Sequence, residues 1–210
     1  MPLKDRGKTM PKYEILPGLP PYGEGARTFS ATGKGQHSEG LVLRFFTSSG
    51  SDWIGNFISG AWGCSDVVVH PNGKLLIVVS NGQAYVVDPE KGEVLNLFGR
   101  GYLEHIVPVP QTNCVLFGDY SGFIAIGPEG ERWTNSRVST EGIRSLNLEG
   151  ETLLGEAYDP SHDLWHSFRL DVITGKVSRG VPIGPDGKPH VGLMRRILRR
   201  LFGIIASENL

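Results

Sequence analysis

The sequence has few cysteines and no long apolar run. Cys64 and Cys114 are the only cysteines. No stretch of about 18 apolar residues is present, the length that a membrane-spanning helix needs. Two thiols without a metal or redox motif are typical of a reducing compartment, and the first 16 residues lack the apolar core of a signal peptide. These absences predict a cytoplasmic protein that folds without disulfides.

The chain also has little net charge. The formal net charge is −1 at pH 7, which argues against nucleic acid as a partner. The charge is uneven, since residues 181–210 contain five Lys and Arg but only two Asp and Glu. Glycine and proline are abundant instead, with 29 and 14 residues, which is typical of many short strands joined by turns.

One stretch, residues 66–97, alternates short β-branched runs with tight turns. The four runs are Val67–Val69, Leu75–Val79, Ala84–Val87 and Val94–Leu97. The three turns are Pro71-Asn72-Gly73, Asn81-Gly82 and Asp88–Gly92. Apolar runs separated by Asn-Gly and other glycine-bearing turns are a strong hairpin signal. The stretch therefore predicts a four-stranded antiparallel meander.

The meander is repeated along the chain. A second copy covers Glu104–Arg137 and a third covers Ile143–Val177. A degraded copy precedes them, with Leu41–Phe46 and Trp53–Phe57 as its outer strands and residues 13–31 as its weak inner half. Repeats of about 40 residues with four strands each predict propeller blades, which cover their apolar faces by stacking on one another.

We therefore expect an all-β fold, a small or incomplete β-propeller of about four antiparallel four-stranded blades with a C-terminal amphipathic helix. The propeller could close by itself through the N-terminal strand, or be completed by another chain. A stack of meanders whose edges are capped by the two tails is the third arrangement. The predicted segments are a flexible or extended start (1–25), the propeller-like domain (26–180), a linker (181–190) and a helix (191–210).

Two turns carry a family resemblance. The sequences VDPEKGEV (87–94) and LDVITGKV (170–177) resemble the D-x-x-T-G-K-type turn between the outer strands of quinoprotein-like (PQQ-like) bacterial β-propeller blades. In such blades the Asp accepts backbone hydrogen bonds and the Gly supplies a positive φ. The resemblance covers residues 65–177 and implies a blade type, with no specific activity and no cofactor.

Three ionisable residues occupy equivalent positions in successive copies. Asp66, His105 and Arg144 follow one another at intervals of 39 residues, each near the start of a predicted innermost strand. Their side chains could converge on an anion, a metal or a partner side chain, or simply be solvated by water in a channel. Trp62 and Tyr102, in the loops just before, could form an aromatic rim for contacts or fill the seams between blades.

A second set of residues raises the question of a metal. His162 and His166 lie close in sequence to Asp159 and Asp163. Two His residues four positions apart bind metal well from one face of a helix. This segment is predicted to be a loop running into a strand, where positions i and i+4 are roughly 13 Å apart. We therefore expect a polar hairpin tip and no metal.

The C-terminal residues 191–210 have the pattern of an amphipathic helix. Apolar residues recur at 191, 194, 198, 201 and 205. The residues expected to contact a partner or a membrane are Arg195, Arg196, Arg199, Arg200 and Phe202. Such a helix could dock on the body of the protein, lie on an anionic membrane surface or fill a groove of a partner.

Together these features favour a non-catalytic recognition scaffold that binds a protein partner through the loops of one face. By analogy of fold, it would be an accessory, immunity or assembly factor of bacterial or phage origin. The alternative is a metal-dependent, lactonase-like or esterase-like propeller hydrolase, for which Asp66, Glu104 and Asn147 are candidate ligands. No G-x-S-x-G elbow supports a serine hydrolase.

Overall fold

The computed structural model describes residues 11–35, 37–135 and 138–183, and this part of the chain is all-β. The first eight strands are β1 (Lys12–Leu16), β2 (Arg27–Phe29), β3 (Leu41–Phe46), β4 (Asp52–Phe57), β5 (Asp66–Val69), β6 (Leu76–Ser80), β7 (Gln83–Asp88) and β8 (Glu93–Phe98). The next eight are β9 (His105–Val109), β10 (Cys114–Gly118), β11 (Phe123–Gly127), β12 (Gly130–Asn135), β13 (Ile143–Glu149), β14 (Thr152–Asp159), β15 (Leu164–Asp171) and β16 (Val177–Ile183). A short 3-10 helix, Pro110–Thr112, lies between β9 and β10.

The strands form four four-stranded sheets, as predicted from the repeats. The second, third and fourth sheets are antiparallel meanders that follow chain order, β5 to β8, β9 to β12 and β13 to β16. The strands of Val67 and Ile106 lie in separate sheets and are not neighbours in one sandwich. The prediction of repeated four-stranded units is therefore confirmed.

The first sheet departs from the repeat pattern. Its order is β1-β3-β4-β2, and β2 runs parallel to β4. The prediction that β3 and β4 are outer strands is wrong, because they are the two central strands. Both are apolar along most of their length, with Leu43, Phe45 and Phe57 fully buried, so each needs a partner on both edges. Pro17 follows β1 directly, in keeping with its edge position.

Contacts divide the described residues into two compact units. The first contains the residues up to Asp119 together with Phe123–Thr134, and therefore holds the first three sheets. The second contains Tyr120–Gly122 together with the residues from Asn135 onward, and holds the fourth sheet. Within the second unit, the described residues Leu153, Phe168 and Leu170 of the sheet are fully buried.

An aromatic core joins the first and second sheets. Phe45 stacks on Trp53 at 4.2 Å between ring centroids, and Phe57 meets Tyr85 edge-on at 5.4 Å. The polar atoms of this core are satisfied, since the Trp53 indole N–H donates to the Pro89 carbonyl (2.8 Å). The Tyr85 hydroxyl likewise donates to the Ile58 carbonyl (2.6 Å). The first sheet therefore excludes water from this face of the second sheet.

An aliphatic core covers the other side of the second sheet. Ile77 and Val79 of β6 pack with Phe117 of β10, and all three are fully buried. Leu103, in the loop before β9, belongs to the same core and is 1% exposed. The second sheet is therefore covered on both faces, as stacked repeats require.

The two turns that resemble quinoprotein-like blades have the expected hydrogen bonds. Asp88 Oδ1 accepts the N–H groups of Glu90 (3.0 Å) and Lys91 (3.2 Å). Asp171 Oδ1 accepts the N–H groups of Ile173 (3.0 Å) and Thr174 (2.8 Å). The glycines that end both turns have φ of +69°. The local geometry of these turns is therefore confirmed.

Some predictions fall outside the described residues. These are the amphipathic helix 191–210 and its side chains Arg195, Arg196, Arg199, Arg200 and Phe202. The last strand, β16, continues to Ile183 and so extends into the stretch predicted as a linker. In the part of the chain that is described, no helix combines the length and apolarity needed to cross a membrane.

A pair of glycines tests how tightly the loops of the first unit approach each other. Gly82 and Gly50 have φ of +88° and +85°. A Cβ at Gly82 would lie 2.3 Å from the Trp62 carbonyl oxygen, whereas one at Gly50 would meet nothing within 4 Å. We expect Gly50→Ala to lower the free energy of unfolding by about 1 kcal/mol through backbone strain alone. Gly82→Ala should cost about 2 kcal/mol more, because the neighbouring loop must also move.

Urea denaturation of both variants measures this difference. Equal losses for the two alanines would show that residue 82 has more room than the structure gives it.

Candidate functional site

Two loops of the first unit are held together by backbone hydrogen bonds. The Trp62 N–H donates to the Gly101 carbonyl (3.0 Å), and the Cys64 N–H donates to the Leu103 carbonyl (2.8 Å). Both loops also bond to the turn between β6 and β7, since the Leu103 N–H donates to the Gly82 carbonyl (3.0 Å) and the Gly82 N–H donates to the Cys64 carbonyl (2.9 Å). We call residues 58–64, 81–82 and 99–103 the loop surface. Its backbone is fixed before any partner arrives.

Two aromatic side chains point outward from the loop surface. Trp62 is 58% exposed and Tyr102 is 41% exposed. Leu103, next to Tyr102, is buried in the aliphatic core and anchors its loop. The sequence left open whether these aromatics face solvent or fill seams, and the structure places both at the surface. Exposed aromatics on a rigid loop are a typical feature of contact surfaces.

Ionisable residues follow these loops, at the starts of β5 and β9. Asp66 is exposed, and its Oδ1 accepts the backbone N–H of Val67 at 2.7 Å. His105 is half-buried at the first position of β9. Cys64 lies between the aromatic loop and Asp66, and burial raises the pKa of its thiol, with smaller contributions from the Asp66 and Glu104 carboxylates. A raised pKa keeps the thiol protonated and unreactive at neutral pH.

Glu104 is the least satisfied group of this region. Its Oε1 is buried and has no hydrogen-bond partner among the residues that the structure describes. Burial raises the pKa of the Glu104 carboxyl; His105 opposes this shift and Asp119 adds to it. From the sequence, Glu104 is predicted only as a candidate metal ligand of the hydrolase alternative.

Arg144, the third residue of the predicted set, lies in the second unit. Its Nε donates to Glu156 Oε2 (2.7 Å), and its guanidinium lies 3.8 Å from the centre of the Trp165 ring. Its charge is therefore compensated within its own sheet. Asp66 and His105 lie in the first unit, so the convergence of all three residues stays a prediction.

A cavity of about 330 Å³ opens beside the aromatic loop of the first unit. Its lining residues include Ser30, Thr32, Ser59, Tyr85 and Arg100. Of the described residues in this lining, Arg100 alone is charged. No motif in the sequence singled it out, although its setting between two glycines, Gly99 and Gly101, marked a tight turn.

A larger groove of about 860 Å³ lies at the opposite ends of the strands of the first unit. Phe46, which is 40% exposed, is among its lining residues, together with Lys12 and Lys74. Glu90 also lines it, but its carboxylate already accepts the N–H and the hydroxyl of Ser48 (3.0 and 2.7 Å). The first unit therefore offers concave surfaces at both ends of its strands.

The histidines of the second unit come closer together than predicted. His162 Nδ1 and His166 Nε2 lie 3.0 and 3.4 Å from the same atom, Asp159 Oδ2. The estimate of 13 Å along a strand was wrong for this pair, because His162 lies in the turn, which folds back onto the end of β14. The hydrogen bond from His162 lowers the pKa of the Asp159 carboxyl.

These residues do not form a metal cluster. Within 11–35, 37–135 and 138–183, no group of three or more His, Cys, Asp and Glu side chains is arranged to hold a metal ion. Asp163 instead accepts the Tyr158 hydroxyl (2.7 Å). The hairpin tip is thus polar and internally hydrogen-bonded.

Sequence comparisons identify no relative, since no protein-family model and no curated protein matches the chain. The solved structures that the chain is similar to include the following three. The N-terminal domain of Nup159 has 9% identity and a TM-score of 0.37 over 58% of this chain and 34% of its own. Hydrazine synthase of Kuenenia stuttgartiensis has 14% identity and a TM-score of 0.39, over 62% of this chain and 42% of its own.

The third is the WD40 domain of Neurospora crassa Pan2, with 12% identity and a TM-score of 0.38 over 69% of this chain and 49% of its own. In all three the chain spans less than half of the matched structure. TM-scores this low define no family. The quinoprotein-like blade type therefore stays a prediction.

The unsatisfied carboxyl of Glu104 gives a prediction about pH. A carboxyl whose pKa is raised on folding destabilises the folded state once it ionises, so Glu104→Gln should raise the free energy of unfolding at pH 7. The gain should vanish as the pH falls below about 4.3, because the wild-type carboxyl is then neutral in both states. Denaturant unfolding from pH 4 to 8 measures this dependence.

Glu129→Gln is the control, because Glu129 is an exposed turn residue. This variant should follow the wild-type curve. A Glu104→Gln protein that is less stable than wild type at pH 7 would show that the ionised carboxylate has a favourable partner.

Proposed function

We propose that this protein is a non-catalytic recognition scaffold that binds a protein partner through the loop surface of its first unit. The observation that carries the proposal is the pair of outward-facing aromatics, Trp62 and Tyr102, on loops locked by backbone hydrogen bonds. A rigid loop loses little conformational entropy on binding, and large aromatic side chains supply most of the energy of typical interfaces.

The architecture supports a scaffold in a second way. The second sheet is covered on both faces by its neighbours, so new contacts to it are made at the ends of its strands, where loops are free to vary. We include a propeller-like arrangement of the four sheets in the proposal, because each sheet is a four-stranded unit and three of them are simple meanders.

Substitution of the exposed aromatics tests the binding face. Trp62→Ala should weaken capture of the native partner by roughly thirtyfold, or about 2 kcal/mol, because a central interface tryptophan contributes at this level. Tyr102→Ala should have a smaller effect in the same direction. Both side chains are exposed, so the melting temperature should stay within a few degrees of wild type.

The matched control is Phe46→Ala, which removes an exposed aromatic at the opposite ends of the strands. Quantitative mass spectrometry of proteins captured from native extract by wild type and the three variants compares the two surfaces. If partners are lost with Phe46→Ala but kept with Trp62→Ala, the binding site lies in the groove that contains Phe46, and the proposal is refuted.

A further inference from the structure

Arg100 is a charged residue at the edge of a cavity. Its side chain is exposed, and no carboxylate or carbonyl in the described part of the chain pairs with its guanidinium. Arg44 and Arg144, by contrast, pair with Asp52 and Glu156 in their own sheets. The charge of Arg100 is therefore available to a ligand.

The backbone holds Arg100 in an unusual conformation. Its φ is +49°, in the left-handed region that residues with a Cβ disfavour. The turn is fixed from the outside, since the Gly101 carbonyl accepts the N–H groups of both Ala61 and Trp62 at 3.0 Å. Arginine thus occupies a position that glycine would adopt with less strain, and the position places it beside the cavity.

The cavity beside Arg100 has one charged residue among the described residues of its lining. The serine hydroxyls in the lining are engaged within the chain, since Ser30 Oγ donates to the Lys34 carbonyl (2.5 Å) and Ser59 Oγ lies 3.5 Å from Ser80 Oγ. Gln83 is 7% exposed in the same wall, and its Nε2 already donates to the Ala84 and Phe98 carbonyls (3.0 and 2.9 Å). The Arg100 side chain is therefore the group of this lining that is available to an anion.

A carboxylate matches this chemistry better than a phosphate. The planar guanidinium binds one carboxylate through two parallel hydrogen bonds, whereas phosphorylated side chains carry up to two charges and are usually held by several arginines. Ala61, in the cavity wall, directly precedes the exposed Trp62. A ligand that extends from the cavity past Ala61 therefore reaches residue 62, whose indole is exposed.

We infer that the partner presents a short segment in which an Asp or Glu side chain enters this cavity and pairs with Arg100, next to an apolar residue that covers Trp62. The inference rests on the proposed function and adds the chemical class of the ligand. It makes Arg100 a specificity-determining residue, and it makes recognition dependent on ionic strength.

Selection of peptides from a phage library of random 12-residue sequences tests this inference on the full chain. Wild type should enrich peptides with Asp or Glu next to a large apolar residue. Arg100→Gln keeps a side chain at the same positive φ, and it should lose this enrichment while keeping its melting temperature. Arg169→Gln, which removes an exposed arginine of the second unit, is the control and should select as wild type does.

A synthetic copy of the most enriched peptide then gives affinities. Arg100→Gln should weaken its binding at least roughly tenfold, and Arg100→Lys should lie between, because lysine keeps the charge but not the planar fork. Arg100→Glu should bind the peptide whose acidic residue is replaced by Arg better than it binds the original. Failure of this charge exchange would overturn the inference.

The selections also separate this inference from the proposed function. Peptides that require Trp62 but select no acidic residue, or bind Arg100→Gln as well as wild type, refute the inference and leave the binding surface in place. Peptides that depend on neither residue count against both, as does a selection that enriches nothing.

Discussion

The second sheet has two apolar faces, and the rest of the first unit depends on covering both. Leu76 and Val78 of β6 face the aromatic core with the first sheet, whereas Ile77 and Val79 face the aliphatic core with the third. Successive residues of a strand point to opposite sides of the sheet. An uninterrupted apolar run therefore exposes apolar side chains on both faces unless another sheet packs against each face. The meander of residues 66–98 cannot therefore be stable alone, and the repeated units supply the missing faces.

This constraint also determines where binding chemistry is available. Because both faces of the second sheet are covered by its neighbours, its loops at the strand ends are the part of this sheet that remains for binding. The loop surface shows how the two requirements are combined: Leu103 is drawn into the aliphatic core, and the adjacent Tyr102 is thereby turned outward. Hydrogen bonds from the loop around Trp62 to the carbonyls of Gly101 and Leu103 then fix the outward residues at little further cost in entropy.

The sequence was sufficient for the features that depend on local pattern. Asn-Gly and Asp-containing turns between β-branched runs located three of the four sheets and the hydrogen bonds of Asp88 and Asp171. It was insufficient where distant pairing decides the outcome. The parallel pairing of β2 with β4 has no local signature, and the approach of His162 and His166 to Asp159 depends on the fold of the turn. The sequence also could not show that the Arg100 side chain is available to a ligand, because whether a described residue pairs with it depends on the folded structure.

Equivalent positions in a repeat need not share a role, and the arginines of this chain show why. Arg144 was singled out because it aligns with Asp66 and His105, yet Glu156 and Trp165 already compensate its charge. Arg100 does not align with Asp66, His105 or Arg144. Its guanidinium lies beside a cavity, and no described residue compensates its charge. Repetition preserves the apolar positions that stacking requires, whereas the loops are free to diverge. In this chain, groups left unsatisfied at a loop therefore indicate candidate binding residues more directly than periodicity does.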